Sequence, residues 1–354
     1  MINILMLSGP ALGHVARLSL AAEALLKTSD IKVDFVVPGF CQHLTLPESA
    51  GCRVQTIRIE DESRKFPALA YAEQVERLFD TLNPDIIVQD CSPLRWLPAT
   101  RFPECPRVVI TNAFLIGPPE FETHQVSDFA ARKTQLNKMR AERGLYSLNS
   151  AYDLYLGTKT LLSDPTPLVE SLSPWPTDIE NCGPLCLEQG ADLPETIQDL
   201  SDIALFSMGS TGGLESYQAI AGTLQASPDF GATVYVGSRA EEAKATGCYD
   251  FCFDWLPLSS VLKKARVVIT HGGTGSTYLA LSNGVPVLIS PKHKNHAVLA
   301  QCLSDLGVGA RLEDQSSLDQ LPDMKATLRS YGTAFDHKDA PMKHAKAILE
   351  ALSC

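Results

Sequence analysis

The sequence lacks any apolar run near the roughly 20 residues that a membrane-spanning helix needs. Its first residues also lack the basic flank and the apolar length of a signal peptide, and we interpret Ile2 to Leu7 as a β-strand. Positive charge is in deficit, because 30 Lys and Arg face 41 Asp and Glu and the net charge is -11. We therefore predict no transmembrane segment and no nucleic-acid partner.

The ten cysteines lack the pattern of a zinc site. Cys182 with Cys186 and Cys248 with Cys252 are each separated by three residues, and no histidine stands nearby at a zinc-ligand spacing. Scattered thiols of this kind are typical of a reducing compartment. We predict reduced cysteines in a cytoplasmic protein.

The 354 residues contain neither low-complexity sequence nor a short repeat, and their number suits two domains. Apolar strand-like runs alternate with helical stretches in both halves, which indicates α/β domains with doubly wound parallel sheets. We predict an N-terminal Rossmann-like domain at 1–175, a proline-rich linker at 176–190 and a C-terminal Rossmann-like domain at 191–335. A last helix within 336–354 could pack back on the N-terminal domain.

A charged segment from Ala113 to Asn149 interrupts this alternation. Its many Arg, Lys and Glu residues favour a solvated helical pair. A lid that contacts substrate is the alternative.

The stretch from Arg266 to Pro291 is typical of one βαβ unit: a strand, a glycine-rich turn, a helix and a second strand. The turn consists of His271, Gly272, Gly273, Thr274, Gly275, Ser276 and Thr277. The three glycines permit positive φ and close approach of a ligand, and the helix N-terminus attracts anions. The two hydroxyls after Gly275 could cap the helix or donate to phosphate oxygens. A plain capped turn is the alternative to an anion site.

HGGTGST, followed by GVP and Pro291, resembles the donor-binding signature of glycosyltransferases that use nucleoside-diphosphate sugars, in particular the bacterial small-molecule branch of the UDP-glycosyltransferase family. The resemblance implies the GT-B fold, with two Rossmann-like domains facing a cleft. It implies that the donor diphosphate is bound by the turn, through His271, Gly272, Gly273, Gly275, Ser276 and Thr277. The resemblance also implies that Gly209 and Ser210, in FSMGS, belong to a second loop that contacts the diphosphate. It further implies that the ring of Trp255 stacks on the nucleobase. An ordinary turn and a core tryptophan are the alternatives.

SGPALGHVAR resembles the loop after the first strand in the same family. In members that glycosylate small hydroxyl acceptors, the matching histidine is the general base, which implies this role for His14. PDIIVQD places Asp90 at a strand end, where a carboxylate would orient the imidazole. Gly13 and Arg17 are then acceptor-side residues, with Arg17 in place of a common proline. Helix capping is the alternative for His14 and Asp90.

Three departures from the plant-type pattern concern the donor. Leu258 and Leu279 replace a Gln and a Glu, and Asn295 with His296 replaces the pair that grips the sugar. The resemblance implies a metal-independent, inverting transferase without a cofactor, which takes a UDP- or dTDP-linked sugar as co-substrate. The departures favour a sugar other than plain glucose.

The acceptor implied by the resemblance is a small molecule, a lipid or a glycan. A nucleotide-sugar hydrolase or epimerase stays an alternative, because GHxxR occurs in related branches of the fold. A non-catalytic auxiliary member is a second alternative. The sequence specifies neither the sugar, nor the acceptor, nor the oligomeric state.

Overall fold

The computed structural model describes residues 1–28, 30–58, 68–90, 93–117, 123–188, 190–209, 217–312 and 316–353. Two compact units share the chain. The first unit comprises Met1–Asp164, Leu172–Leu185 and Lys338–Cys354, and the second comprises Pro165–Ser171 and Cys186–His337. The chain therefore passes from one unit to the other four times, after Asp164, Ser171, Leu185 and His337.

The strands and helices alternate along the described chain. The strands are β1 (Ile2–Ser8), β2 (Ile31–Pro38), β3 (Arg53–Ile57), β4 (Ile86–Asp90), β5 (Arg107–Thr111), β6 (Lys159–Leu162), β7 (Ile179–Asn181), β8 (Ile203–Gly209), β9 (Ala232–Gly237), β10 (Phe251–Phe253), β11 (Ala265–Thr270), β12 (Val287–Ile289) and β13 (Gly309–Arg311). The helices are α1 (Leu12–Leu26), α2 (Thr45–Ser49), α3 (Ala68–Leu82), α4 (Pro93–Trp96), α5 (Ala113–Ile116), α6 (His124–Glu142), α7 (Thr166–Ser171), α8 (Glu195–Gln198), α9 (Gln218–Gln225), α10 (Ala240–Ala245), α11 (Leu258–Leu262), α12 (Thr274–Ser282), α13 (Lys294–Asp305), α14 (Ser316–Asp319), α15 (Leu321–Ser330) and α16 (Ala340–Glu350), with 3-10 turns at Ala151–Leu154 and Ala351–Ser353.

The first unit is organised by a parallel sheet in the order β3-β2-β1-β4-β5-β6-β7. Side chains of β1 alternate between its two faces. Ile4 and Met6 pack with α1 and α16, whereas Leu5 and Leu7 pack with a cluster around Tyr71. Because both faces are covered, the strands are continuous apolar runs instead of alternating ones.

The second unit repeats this architecture with a parallel sheet in the order β10-β9-β8-β11-β12-β13. Its core contains Tyr249, whose ring contacts those of Phe206 and Tyr235, together with Ile269 of β11. The predicted α/β architecture with two parallel sheets is confirmed. None of the helices in the described ranges combines the length and the apolar character needed to cross a bilayer.

In each sheet the strand order reverses beside one central pair. The pair is β1 and β4 in the first unit and β8 and β11 in the second. Helices that leave such neighbouring strands diverge to opposite faces, so a crevice opens at the carboxyl ends of the strands. We therefore expect the site residues at the carboxyl ends of these two strand pairs.

Several elements differ from the sequence-based expectation. The short strand Ile179–Asn181 lies within the predicted linker 176–190, and its backbone pairs with β6. The three-residue strand Gly309–Arg311 was not predicted. In the described part of the charged segment, a short helix, Ala113–Ile116, precedes one long helix, His124–Glu142.

Candidate active site

His14 and Asp90 meet at the reversal point of the first sheet. Ser8 ends β1 in register with Asp90, the last residue of β4, and α1 starts at Leu12, which puts His14 in its first turn. The Nδ1 atom of His14 lies 2.8 Å from Oδ1 of Asp90. The His14 side chain is 33% exposed, whereas that of Asp90 is 4% exposed. A buried carboxylate therefore orients an accessible imidazole.

The Asp90 carboxyl is held in its ionised form. Burial raises the pKa of Asp90, but the charges of Arg17 and His14 and their hydrogen bonds outweigh burial, so that the pKa lies below its usual value. An ionised Asp90 only accepts hydrogen bonds, so Nδ1 of His14 carries the proton in this contact. The other ring nitrogen, Nε2, is then the basic one, and it makes no hydrogen bond with any residue that the structure describes.

Arg17 is buried one turn after His14 and faces the same carboxylate. Its Nη2 donates to Oδ1 of Asp90 at 2.9 Å, and its Nε lies 2.8 Å from Oδ2. Its Nη1 donates to Oδ1 of Asn112 at 2.8 Å. The guanidinium of this predicted acceptor-side residue is thus engaged by protein groups. Gly13, by contrast, is exposed beside His14, and a Cβ built there would meet no atom within 4 Å.

Two further residues, which were not predicted from the sequence, extend the hydrogen-bond network of His14, Asp90 and Arg17. Asn112 follows β5, and its Nδ2 donates to Oδ1 of Asp164 at 2.9 Å. Asp164 lies two residues after β6 and accepts from the backbone N–H of Ala113 at 2.6 Å. A signal existed, because each polar residue closely follows a short apolar run of the sequence, Val108 to Ile110 or Leu161 to Leu162, and the ends of parallel strands share one edge of the sheet.

The glycine-rich turn lies at the reversal point of the second sheet. β11 ends at Thr270, in register with Ser207 of β8, and His271 follows directly. Gly272 has φ of +104°, and a Cβ built there would lie 2.7 Å from Cβ of His296. Only glycine fits this position.

The other two glycines of the turn do not adopt positive φ, contrary to the expectation. Gly273 is the N-cap of α12 with φ of -66°, and Gly275 lies inside the helix with no atom within 4 Å of a built Cβ. Gly209, at the end of β8, does have positive φ, +56°, and a Cβ there would meet Cε1 of His271 at 3.4 Å. Ser210 lies outside the described residues.

The two hydroxyls of the turn face different surroundings. Ser276 and Thr277 lie in the first turn of α12, and neither caps the helix with its side chain. Ser276 is partly exposed and accepts a hydrogen bond from Oγ of Ser207 at 3.0 Å, so its own O–H is left to donate elsewhere. Thr277 is fully buried, and its Oγ1 has no hydrogen-bond partner among the described residues.

Three histidines cluster at this turn. The ring centroid of His296 lies 5.0 Å from that of His271 and 5.1 Å from that of His293. Burial, with the charges of Lys292 and His293, lowers the pKa of His271 to about 4. Burial, with the charges of its neighbours, lowers the pKa of His296 to about 3. Both rings are neutral near pH 7, and Nδ1 of His296 is buried without a described hydrogen-bond partner.

Known proteins share this architecture. Residues 251–332 match the family described as erythromycin biosynthesis protein CIII-like, C-terminal domain. The crystal structure of CalG4, the calicheamicin glycosyltransferase, superposes with a TM-score of 0.75 at 20% identity, and the match covers 100% of this chain and 98% of that one. The chain has the GT-B glycosyltransferase fold.

Two further similarities bear on this GT-B chain. The glycosyltransferase VinC, whose structure is in complex with dTDP, matches with a TM-score of 0.66 at 16% identity over 99% of this chain and 100% of VinC. A glycosyltransferase of PGL/p-HBAD biosynthesis from Mycobacterium tuberculosis is 28% identical over 232 residues, 62% of this chain and 53% of the relative. The chain therefore spans about half the length of that curated relative.

The remaining residues predicted to contact the donor sugar nucleotide differ in how far they are exposed. Trp255, two residues after β10, is 55% exposed and so is not a core tryptophan. Leu258 begins α11 and is partly exposed, whereas Leu279 of α12 is 2% exposed and packs inside the unit. Asn295 and His296 lie in the first turn of α13. The second unit thus brings His296 to the glycine turn.

Proposed function

We propose that this chain is an inverting glycosyltransferase that moves a sugar from a nucleoside-diphosphate sugar to a hydroxyl group of an acceptor. The observation that carries the proposal is the His14–Asp90 pair, in which a buried, ionised carboxylate holds Nδ1 and leaves Nε2 of an accessible imidazole without a described partner. This is the arrangement of a general base.

In the proposed reaction Nε2 of His14 accepts the proton of the acceptor hydroxyl. The acceptor oxygen forms a bond to the anomeric carbon, from the face opposite the diphosphate, while the bond between that carbon and the diphosphate oxygen breaks. The electron pair of the broken bond goes to the leaving diphosphate. Asp90 stabilises the imidazolium that results, as a carboxylate beside a catalytic histidine does.

The glycine turn of the second unit is proposed to bind the diphosphate. The N-terminus of α12 presents backbone N–H groups and a partial positive charge. Ser276 and the neutral His271 add hydrogen-bond donors, and the Lys292 charge that acts on His271 favours an anion there. These groups offset the charge that grows on the leaving diphosphate, and this role needs no metal ion.

The nucleobase is proposed to stack on Trp255. An exposed indole offers a flat face to any base, so it contributes affinity with little base selectivity. A UDP- or dTDP-linked sugar is the proposed donor, and the dTDP bound to VinC supports the second of these.

The decisive experiment is a mass-spectrometric screen of the purified chain. It combines UDP- and dTDP-linked sugars with a pooled acceptor extract, and a parallel sample contains no acceptor. A mass increase of an acceptor by the glycosyl group of the donor supplied supports the proposal. Release of free sugar without an acceptor would instead identify a nucleotide-sugar hydrolase, and nucleotide binding without turnover would identify an auxiliary protein.

Alanine substitution of His271 or Ser276 is expected to weaken binding of UDP or dTDP by about 1.5–3 kcal/mol, the range for hydrogen bonds to charged groups. Uridine or thymidine, which lack phosphate, should bind as to the parent protein. Isothermal calorimetry measures both. Ser282→Ala, at the far end of α12, is the matched control, because its Oγ donates to the backbone carbonyl of Leu279 and accepts from Nδ2 of Asn283, away from the glycine-rich turn. Equal losses of affinity for the nucleoside and for the nucleoside diphosphate would contradict a role of His271 and Ser276 in binding the diphosphate.

Asn295→Ala and His296→Ala are expected to reduce kcat/KM for the preferred donor more than for other donors. Both side chains donate and accept hydrogen bonds, which suits an N-acetylated or otherwise modified sugar as well as a hydroxyl. Competition between mixed nucleotide sugars measures the selectivity, which is a difference in transition-state binding.

Gln301→Ala, on the same helix and paired with Asp305, is the control for this selectivity. His296 packs against Gly272, so its removal could also disturb the glycine-rich turn. The affinity for free UDP or dTDP is therefore measured in the same variants, to separate this effect from sugar selection. A preference for glucose that neither variant changes would show that these residues do not select the sugar.

A further inference from the structure

The carboxylate of Asp90 has two partners that compete for it. His14 Nδ1 and Arg17 Nη2 approach the same oxygen, Oδ1, at 2.8 Å and 2.9 Å. Nη2 also lies 3.4 Å from Nδ1 of His14. Both nitrogens carry hydrogen when Asp90 is ionised, so this last contact brings two donors together. Asp90 therefore favours a charged imidazole, whereas the guanidinium opposes it.

Arg17 cannot easily turn away from this position. Its side chain is 10% exposed, and Asn112 accepts from its third nitrogen. Asn112 is itself oriented, because its Nδ2 donates to Asp164 and to the carbonyl of Ser163. A rotated guanidinium would leave a buried carboxylate without its charge partner, which is costly.

Three further groups near the Arg17–Asp90 contact belong to described residues, namely His344, Cys41 and Asp164. On α16, which packs against α1, His344 is fully buried and donates from Nδ1 to the carbonyl of Ala340. Burial lowers the pKa of His344 to about 4, so it is neutral near pH 7. The Cys41 thiol, after β2, donates to the carbonyl of Pro10. The Asp164 carboxylate accepts from Nδ2 of Asn112, the same amide whose oxygen accepts from Arg17.

We propose that Arg17 is a positioning residue that divides the Asp90 carboxylate between itself and His14, and thereby sets the pH range in which His14 is available as a base. Its effect on turnover rests on the proposed transferase function. The charge coupling of the three side chains does not, and it can be measured without substrate.

The sign of the effect follows from the charges. Replacing Arg17 with glutamine removes the cation that opposes the imidazolium and leaves the carboxylate to His14. The ring then keeps its proton to higher pH. Because only the neutral ring accepts a proton, the acid limb of kcat against pH moves to higher pH.

The experiment is an NMR titration of the His14 ring in the parent protein and in Arg17→Gln, with the signal assigned by its loss in His14→Ala. The titration midpoint is expected to rise by about 1 pH unit in Arg17→Gln. Arg17→Lys, which keeps a positive charge, should shift it less. An unchanged or lower midpoint in Arg17→Gln would overturn the proposal.

Asp90→Asn provides a second test, should Arg17→Gln fail to fold. There the Arg17 cation is left beside His14 without the carboxylate, so the midpoint is expected below the value of about 6.5 for an unperturbed histidine. A midpoint at or above that value would contradict the role of Arg17. Shifts in the NMR titration without any glycosyl transfer would refute the transferase function alone, whereas transfer without shifts would refute this inference alone.

Discussion

His14→Ala is expected to lower kcat by about 10²–10⁴-fold, the usual loss when a general base is removed. The acceptor hydroxyl would then have to lose its proton to water, because among the described residues Asp90 holds only the Arg17 cation besides His14. Binding of UDP or dTDP should not change, since the proposed diphosphate site belongs to the second unit. Initial rates at saturating donor and calorimetry with the free diphosphate measure the two quantities.

Two further variants test the assignment of His14. Asp90→Asn should cause a smaller loss of kcat, because it disturbs the imidazole without removing it. Lys27→Ala, at the far end of the same helix, is the control and should leave kcat unchanged, since that side chain is 66% exposed and pairs only with Glu23 in the described structure. Near-parental turnover of His14→Ala with a hydroxyl acceptor would show that another group is the base.

Gly272→Ala is expected to reduce the free energy of unfolding by about 2–4 kcal/mol and to abolish measurable diphosphate binding. The residue has φ of +104°, which strains any L side chain, and its new Cβ would lie 2.7 Å from Cβ and 3.2 Å from Cα of His296. Since the second of these atoms belongs to the backbone, the turn itself has to move. Urea unfolding and calorimetry with UDP or dTDP measure the two effects.

Gly222→Ala is the matched control for this substitution. Gly222 lies inside α9, and a Cβ there would meet no atom within 4 Å. Alanine should be neutral or stabilise the helix by up to about 1 kcal/mol, because it restricts the unfolded chain. If Gly272→Ala unfolded at the same urea concentration as Gly222→Ala and kept the nucleotide affinity, the turn would not depend on glycine.

Much of this architecture follows from local sequence patterns. Apolar runs of strand length alternate with helical periodicity, and this alternation predicted two parallel sheets. The positions of His14, Asp90 and His271 at or after strand ends followed from the same pattern, because the carboxyl ends of parallel strands lie at one edge of the sheet. Short strands such as Ile179–Asn181 escaped prediction, since three residues paired through their backbone carry no periodic signal.

The sequence by itself determined the fold class and the chemical types of the site residues. Tertiary structure alone decided what those residues do to each other. Arg17, expected on the acceptor side, donates to Asn112, 95 residues away, and shares Asp90 with His14. Gly272 needs to be glycine partly because His296 packs against it. Such contacts join residues that local periodicity does not connect, so they arise only when the strands pair and bring distant loops to one edge.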